Sequence, residues 1–344
     1  MSSDYSLVSS FDFSLPKGKK LLAFSAGLDS TALFFILKEK NIEFDIIIVD
    51  YALRQNSALE LAYAKELAKK YSKKIFTIKY PKNEKFSEKN ARDFRYTFFE
   101  KVIKEHSYDF LLTAHQLNDK LEWFLMQMAK GAGLSELLGL EWCNKRENYT
   151  ILRPLLDFSK EDLHRYLLEN KLKFFYDESN EDTKYKRNYF RKNFSNKLLK
   201  DFQSGIKNSF SYLGKDLKTL NLDQKEVFSF GTLKIFASLK SNSLDIRIID
   251  KELKKRGYLL SKNQRLEIFK QGEIDISHFS ISLLNGFIWI SSRYSQEKNF
   301  CTMDKRFKDF CRINKIPKKQ RQNIFKQKSF LEFLEFRKFL ETIS

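Results

Sequence analysis

Residues 24–31 read Phe24-Ser25-Ala26-Gly27-Leu28-Asp29-Ser30-Thr31, and the first half of the chain is understood from them outward. The preceding run Leu21-Leu22-Ala23-Phe24 is short and apolar, as a buried strand requires. The following run, Ala32-Leu33-Phe34-Phe35-Ile36-Leu37, supplies the packing face of a helix. A small-residue turn between strand and helix leaves backbone N–H groups free, and the helix N-terminus adds positive potential. Together these bind phosphate. Gly27 would let the backbone come close to an anion, and the hydroxyls of Ser25, Ser30 and Thr31 would add donors. Asp29 is out of place among anion-binding donors unless a cation such as Mg²⁺ bridges it to the anion. A plainer account stands beside this one: Ser, Thr and Asp at such turns commonly only cap the helix. The turn is neither a Walker A loop, for want of Gly-Lys-Ser/Thr, nor G-x-G-x-x-G.

Further along, Phe44-Asp45-Ile46-Ile47-Ile48-Val49 reads as a second strand, with a helix near Thr31–Lys40 before it. Its nearly unbroken apolar run suits a parallel strand covered on both faces. Ser57–Lys70 reads as a helix, Ile75–Ile78 as a third strand, Ala91–His106 as a helix, Phe110–Ala114 as a fourth strand and Leu117–Ala129 as a helix. This alternation predicts an α/β fold with a doubly wound parallel sheet, whose ligands bind at the carboxyl ends of the strands. The Ser25 turn, Asp50 and His115 stand at those ends. Arg153-Pro154-Leu155-Leu156 leads into a helix over Ser159–Asn170 with a capping-box start at Ser159 and Asp162. Beyond about Phe202 the pattern changes. Val227–Phe230 and Phe287–Ile290 are strand-like, Leu244–Lys255 is helical, and Phe300–Ser344 is basic and aromatic. The domain border is expected near 200–220. We divide the chain into a catalytic domain, 1–200, and a helical linker with a smaller α+β C-terminal domain, 201–344.

The 344 residues are enough for two or three domains, and 42% hydrophobic residues suffice for ordinary cores. The net charge of +19, from 63 basic and 44 acidic residues, favours a polyanionic partner such as nucleic acid. An abundance of Lys, Phe, Asn and Ile is the bland alternative, but such a bias need not tilt the charge this far. Cys143, Cys301 and Cys311 lie far apart with no Cys-x-x-Cys pair, so no zinc knuckle or thiol-redox site is indicated. Met1–Phe11 lacks the pattern of a signal peptide, and no apolar run approaches membrane-spanning length. The expected location is cytoplasmic, with no membrane partner.

Three later stretches carry further chemistry. Val49-Asp50-Tyr51-Ala52-Leu53-Arg54 sets an acid and an arginine where a strand end meets the cleft; singly, each suits a cap or a solvated side chain. His115-Gln116-Leu117-Asn118-Asp119-Lys120-Leu121-Glu122 follows a strand, and on a helix His115 and Asp119 would share a face. Lys130-Gly131-Ala132-Gly133 closes that helix as a cationic loop, with glycine serving as at least a C-cap. Residues 177–191 place acids first, then Lys184, Lys186, Arg187 and Arg191 interleaved with Tyr185 and Tyr189. That mixture suits phosphate contact and base stacking, or else an exposed helix of mixed charge.

Order and spacing then speak together. Ser-Ala-Gly-Leu-Asp-Ser, Val49 to Arg54, Ala91-Arg92-Asp93-Phe94-Arg95-Tyr96, Ala114 to Asp119, Leu152 to Leu156, Asp177-x-Ser179-Asn180-x-Asp182 and Tyr185-x-Arg187-Asn188-x-x-Arg191 occur in sequence. The series resembles the tRNA(Ile)-lysidine synthetases of the PP-loop (N-type) ATP pyrophosphatase superfamily, whose fold is adenine nucleotide alpha hydrolase-like. The resemblance covers residues 20–195, with an echo of an Ile-Pro-x-x-x-Arg segment at Ile316 to Arg321.

The resemblance implies ATP-dependent ligation of L-lysine to C2 of the wobble cytidine in the isoleucine tRNA with a CAU anticodon. An adenylated tRNA is the intermediate, and the product reads AUA. It implies that Ser25, Ala26, Gly27, Leu28, Asp29, Ser30 and Thr31, with Asp50 and Arg54, hold ATP, and that Asp29 holds Mg²⁺. It implies catalytic roles for Asp29, His115, Asp119, Arg187 and Arg191, and lysine- or tRNA-binding roles for Asp119, Glu122, Lys130 and Asn188. A homodimer is expected by the same analogy. The chain departs from the family pattern at Ala26, usually Gly, at Tyr51, usually His, at Asn118, usually an acid, and at Trp123, usually Thr. The change at Ala26 is expected to be mild if its backbone angles are ordinary. The alternative function is that of another PP-loop enzyme such as a tRNA thiolase, which typically needs paired cysteines or a persulfide relay. A basic RNA-binding protein without catalysis is the other contender, and the intact Ser25-to-Ser30 turn speaks against it.

Overall fold

The computed structural model describes residues 11–51, 57–81, 87–176, 186–220, 225–293, 303–327 and 330–343. The chain divides into two compact units, Met1–Gly214 and Lys215–Ser344.

The first unit is built on a six-stranded sheet of β1 (Lys20–Ala23), β2 (Asp45–Asp50), β3 (Ile75–Lys79), β4 (Phe110–Leu112), β5 (Cys143–Lys145) and β6 (Thr150–Leu152). The strand order is β3-β2-β1-β4-β6-β5, and every pairing but β5 with β6 is parallel. Alternation of side chains along β1 serves two cores. Leu22 packs with Ile46 and Leu112 on one face, and Leu21 with Ile47 and Leu111 on the other. This is why the strands read as continuous apolar runs rather than as alternating ones. The hairpin β5–β6 is an addition to the four strands expected from sequence: three residues are too few to show a period.

The helices of this unit are α1 (Leu28–Glu39), α2 (Ser57–Lys70), α3 (Glu88–His106), α4 (Leu117–Met128), α5 (Leu134–Leu137), α6 (Lys160–Glu169), α7 (Lys186–Phe190) and the greater part of α8 (Asn196–Thr219), which continues past Gly214. A π-helical turn, Arg191–Ser195, joins α7 to α8, and α8 breaks at Phe202, where φ is −130° and ψ is 25°. The strand order reverses at β1, with β2 and β3 on one side and β4 and β6 on the other. A sheet of this kind opens a crevice at its reversal point, beyond the carboxyl ends of β1 and β4. The Ser25 turn leaves β1 there, and His115 follows β4.

The second unit is α+β. Its antiparallel sheet runs β7 (Phe228–Phe230), β8 (Leu233–Ala237), β11 (Phe287–Ser292), β10 (Phe279–Leu284), β9 (Glu273–Ile276). Helices α9 (Asn242–Lys255), α10 (Lys262–Gln271), α11 (Lys305–Ile313), α12 (Lys318–Gln327) and α13 (Phe330–Ile343) complete it. One core gathers Phe230, Trp289, Phe307 and Phe336, the other Phe236, Ile249, Ile268 and Ile281. The Ile316-to-Arg321 segment opens α12: Ile316 is buried, Arg321 Nε donates to its carbonyl at 2.9 Å, and Lys319 Nζ pairs with Asp275 at 2.7 Å. No described helix is long and apolar enough to cross a membrane.

Candidate active site

Helix α1 starts at Leu28, three residues before the Thr31 start expected from sequence, so Asp29, Ser30 and Thr31 form its first turn. Ser30 Oγ ties the turn together: it accepts from the Ser25 amide at 3.2 Å, lies 3.1 Å from Ser25 Oγ and donates to the Gly27 carbonyl at 3.2 Å. Gly27 is the N-cap, and no side chain caps this helix. The left-handed residue of the turn is Ala26, with φ of 57°, while Gly27 has an ordinary φ of −75°. The condition under which Ala26 would be a mild change, an ordinary backbone, is not met: an L-residue there carries about 1–2 kcal/mol of strain. A bridge between Gly27 and Phe175, with the Phe175 amide donating to the Ala26 carbonyl at 2.9 Å, holds that conformation. A Cβ at Gly27 would meet Ser25 Oγ at 3.4 Å, an ordinary contact, so the protein's own packing does not demand glycine there.

Asp29 Oδ1 and Thr31 Oγ1 are buried without a hydrogen-bond partner among the described residues. Burial, then the negative charge of Asp119, pushes the Asp29 carboxyl up to about 7. An orphaned hard-oxygen donor at an uncapped helix start fits Mg²⁺, which is typically held by one or two carboxylates and substrate phosphates.

Helix α4 presents the second group. Asp119 stands third in the helix and completes a capping box, its Oδ2 accepting from the Gln116 amide at 3.0 Å. Its Oδ1 accepts from Arg187 Nη2 at 2.5 Å. Glu122, fully buried one turn on, accepts from Arg187 Nε at 2.9 Å and from Arg191 Nε and Nη2 at 2.7 and 3.1 Å. Burial raises the Asp119 carboxyl, but Arg187, His115 and the Gln116 amide outweigh it, and the net shift is downward. Arg187 is held more firmly protonated than usual, chiefly by Asp119. Two acids and two guanidiniums thus form one neutral cluster, and neither carboxylate is an empty socket for an ammonium group.

The remaining expected residues fall into place unevenly. His115 Nδ1 lies 2.9 Å from Thr113 Oγ1, and burial lowers its pKa to about 4, so the ring is neutral at physiological pH. Asp50 ends β2 at the same carboxyl edge, its carbonyl accepting from the Tyr80 amide at 2.8 Å. Asn188 is half-buried on α7 between the two arginines. Lys130 is exposed beyond the far end of α4, about three turns from Asp119, and does not join the cluster. Arg54 and the Asp177-to-Tyr185 stretch lie outside the described residues.

The departures have local explanations. Asn118 Oδ1 accepts from the Lys160 amide at 3.0 Å while its Nδ2 donates to Asn196 at 2.9 Å, a double role that a carboxylate could not fill. Tyr51 donates to the Ala91 carbonyl at 3.3 Å, and Trp123 Nε1 to the Glu136 carbonyl at 2.8 Å. What the sequence reading missed is the pairing itself. The matched spacing, acids at 119 and 122 against arginines at 187 and 191, was the available signal.

A strand-to-helix turn with a bare N-terminus at the reversal point of a parallel sheet is the arrangement of nucleotide-binding α/β proteins, and the PP-loop domain family, which matches residues 5–198, places the chain among the PP-loop proteins. The chain is 45% identical over 327 residues to the tRNA(Ile)-lysidine synthase of Campylobacter jejuni (strain RM1221), covering 94% of this chain and 97% of that one. It is 41% identical over 320 residues to the enzyme of the same name from Helicobacter pylori (strain ATCC 700392 / 26695), covering 90% of each. Among solved structures, the U34-tRNA thiolase NcsA from Methanococcus maripaludis has a TM-score of 0.48 at 16% identity, over 62% of this chain and 77% of that one. The chain belongs to the tRNA(Ile)-lysidine synthase family.

Proposed function

We propose that this protein binds ATP and ligates lysine to C2 of the wobble cytidine in the CAU-anticodon isoleucine tRNA, forming lysidine. Its membership of a family named for that activity, matched over nearly its whole length, carries the reading. The uncapped start of α1 would take the β- and γ-phosphates of ATP on its first-turn amides. Asp29, with the orphaned Thr31 hydroxyl nearby, would hold Mg²⁺, which when bound supplies charge neutralisation for the departing pyrophosphate.

The cytidine C2 oxygen attacks the α-phosphorus and releases pyrophosphate; the lysine ε-amine then displaces AMP from C2. Asp119 and Glu122 aim the guanidiniums of Arg187 and Arg191, which would steady the anionic adenylate. The lysine nucleophile must be the neutral amine. Carboxylates already neutralised by guanidiniums do not pin the ε-ammonium in its charged form, as free ones would. His115, kept neutral by burial, orients a substrate by hydrogen bonding. Asp50 and Arg54 would border the ATP, and Asn188 and Lys130 would meet tRNA. The basic second unit would dock the body of the tRNA. The reaction would take place in the cytoplasm, and a homodimer, carried over from the family resemblance, is checked by sedimentation.

The test is ATP-dependent incorporation of labelled lysine into the CAU-anticodon isoleucine tRNA and its GAU counterpart, with labelled sulfur as a parallel arm. Incorporation of lysine into the first tRNA alone is expected. Sulfur transfer, or equal lysine labelling of both tRNAs, would overturn the proposal. Cys311 is unsuited to sulfur relay, since burial raises its thiol to about 11.

A further inference from the structure

Helix α7 and the π-helical turn carry more than Arg187 and Arg191. Three rings on the same segment touch one another: Tyr189 and Phe190 with centroids 5.9 Å apart, Tyr189 and Phe194 at 6.0 Å, and Phe190 and Phe194 at 5.6 Å. Large aromatic side chains usually contribute by burial, yet Tyr189 is 47% and Phe194 41% exposed. Lys186 and Lys192, on the same segment, are exposed beside them. Tyr189 and Phe194 therefore stand in solvent, with Phe190 half-buried against them, in a cationic setting, within a turn of guanidiniums that belong to the crevice.

That combination selects among partners. An apolar peptide would be served by the rings but not by the lysines, and duplex RNA would use the lysines but offer no free base faces. Unpaired bases of an RNA loop use both, since every base has a π-face and every nucleotide a phosphate. We propose that Tyr189, Phe190 and Phe194 form a stacking wall for loop bases that neighbour the target cytidine. The wall would keep the loop splayed while the cytidine turns into the crevice. This inference rests on the lysine-ligase reading for the identity of the loop.

The experiment measures binding of a CAU anticodon stem-loop to the full-length protein by fluorescence anisotropy across a salt series, together with kcat and KM for lysine incorporation into whole tRNA. Tyr189→Leu combined with Phe194→Leu should weaken stem-loop binding by at least about tenfold. The slope of log affinity against log salt should stay as in the unmodified protein, because no phosphate contact is removed. KM for tRNA should rise more than kcat falls. Tyr189→Phe, which keeps the ring, should bind far more tightly than Tyr189→Leu. The single Tyr189→Leu substitution, at the most exposed of the three rings, gives the same comparison if the double variant melts early. Unweakened binding in the leucine variants, a changed salt slope, or equal loss in Tyr189→Phe and Tyr189→Leu would overturn the wall. Failure of the unmodified protein to incorporate lysine while it still binds the stem-loop through these rings would overturn the ligase reading instead.

Discussion

Helices α1 and α6 pack together, and their starts both carry Ser and Asp, to opposite ends. At α6 the capping side chains find partners within the protein. Ser159 Oγ accepts from the Asp162 amide at 3.2 Å, while Asp162 Oδ2 accepts from the Ser159 amide at 2.9 Å and from Gln203 at 2.7 Å. At α1 the cap is a glycine without a side chain, and Asp29 and Thr31 leave buried oxygens unanswered among the described residues. A closed helix start contributes stability; an open one forgoes about 1 kcal/mol of capping to keep a place for a ligand. Satisfaction of each group, rather than residue type, separates the structural start from the functional one.

That contrast is exposed to five tests, which run from catalysis at the open start to small stability changes elsewhere. Asp29→Ala should lower lysine incorporation by at least about 100-fold without lowering the melting temperature; retained incorporation would make α1 just another capped helix. Asp29 should also betray itself by pH. Its carboxyl is raised in the fold to about 7 from the usual 3.8, so its contribution is full below about 3.8 and is lost as pH rises through 7. Asp29→Asn, free of that titration, should be the more stable form at pH 8 by a few kcal/mol, and parallel melting curves from pH 5 to 8 would refute the point. Arg191→Ala, which strips partners from the fully buried Glu122, should cost about 3 kcal/mol in urea unfolding, partly recovered by adding Glu122→Gln. Ser159→Ala at the closed start should cost about 1 kcal/mol, seen in the same unfolding curves, with lysine incorporation little changed. Ala26→Gly should be the mildest, stabilising by no more than about 1 kcal/mol by relieving the left-handed φ; a loss on urea unfolding would show that Ala26 is not strained.

Much of the first unit could be read from the chain because its elements declare themselves locally. The run Phe44–Val49 can hardly be other than a covered strand, and Ser57–Lys70 and the Ser159–Asp162 box coincide with α2 and the start of α6. Helix α9 likewise follows the apolar spacing of Leu244–Lys255. Short or composite elements escape such reading. The hairpin β5–β6 has three-residue strands, and α11 to α13 lie in a stretch so rich in Lys and Phe that composition masks period. The site was legible as a set of residues at strand ends, but its wiring was not. The Arg187–Glu122 contact spans 65 positions, and the left-handed angle falls on Ala26 instead of the adjacent glycine. Both are decided by tertiary packing, through the grip of α7 on α4 and the bridge from Gly27 to Phe175.

The distance along the chain between Glu122 and its guanidinium partners bears on how the protein is made. Synthesis runs from the N-terminus, and domains tend to fold as they emerge. All six strands of the first sheet are complete by Leu152, yet the acid beneath the crevice has no countercharge until Arg187 and Arg191 leave the ribosome. A nascent chain at that stage holds a finished sheet whose Glu122 still lacks both its guanidinium partners and the α7 segment that packs on α4. The arginine segment is therefore locked in only after the sheet is complete, and a premature stop between Leu152 and Arg187 would release a sheet prone to chaperone capture and proteolysis.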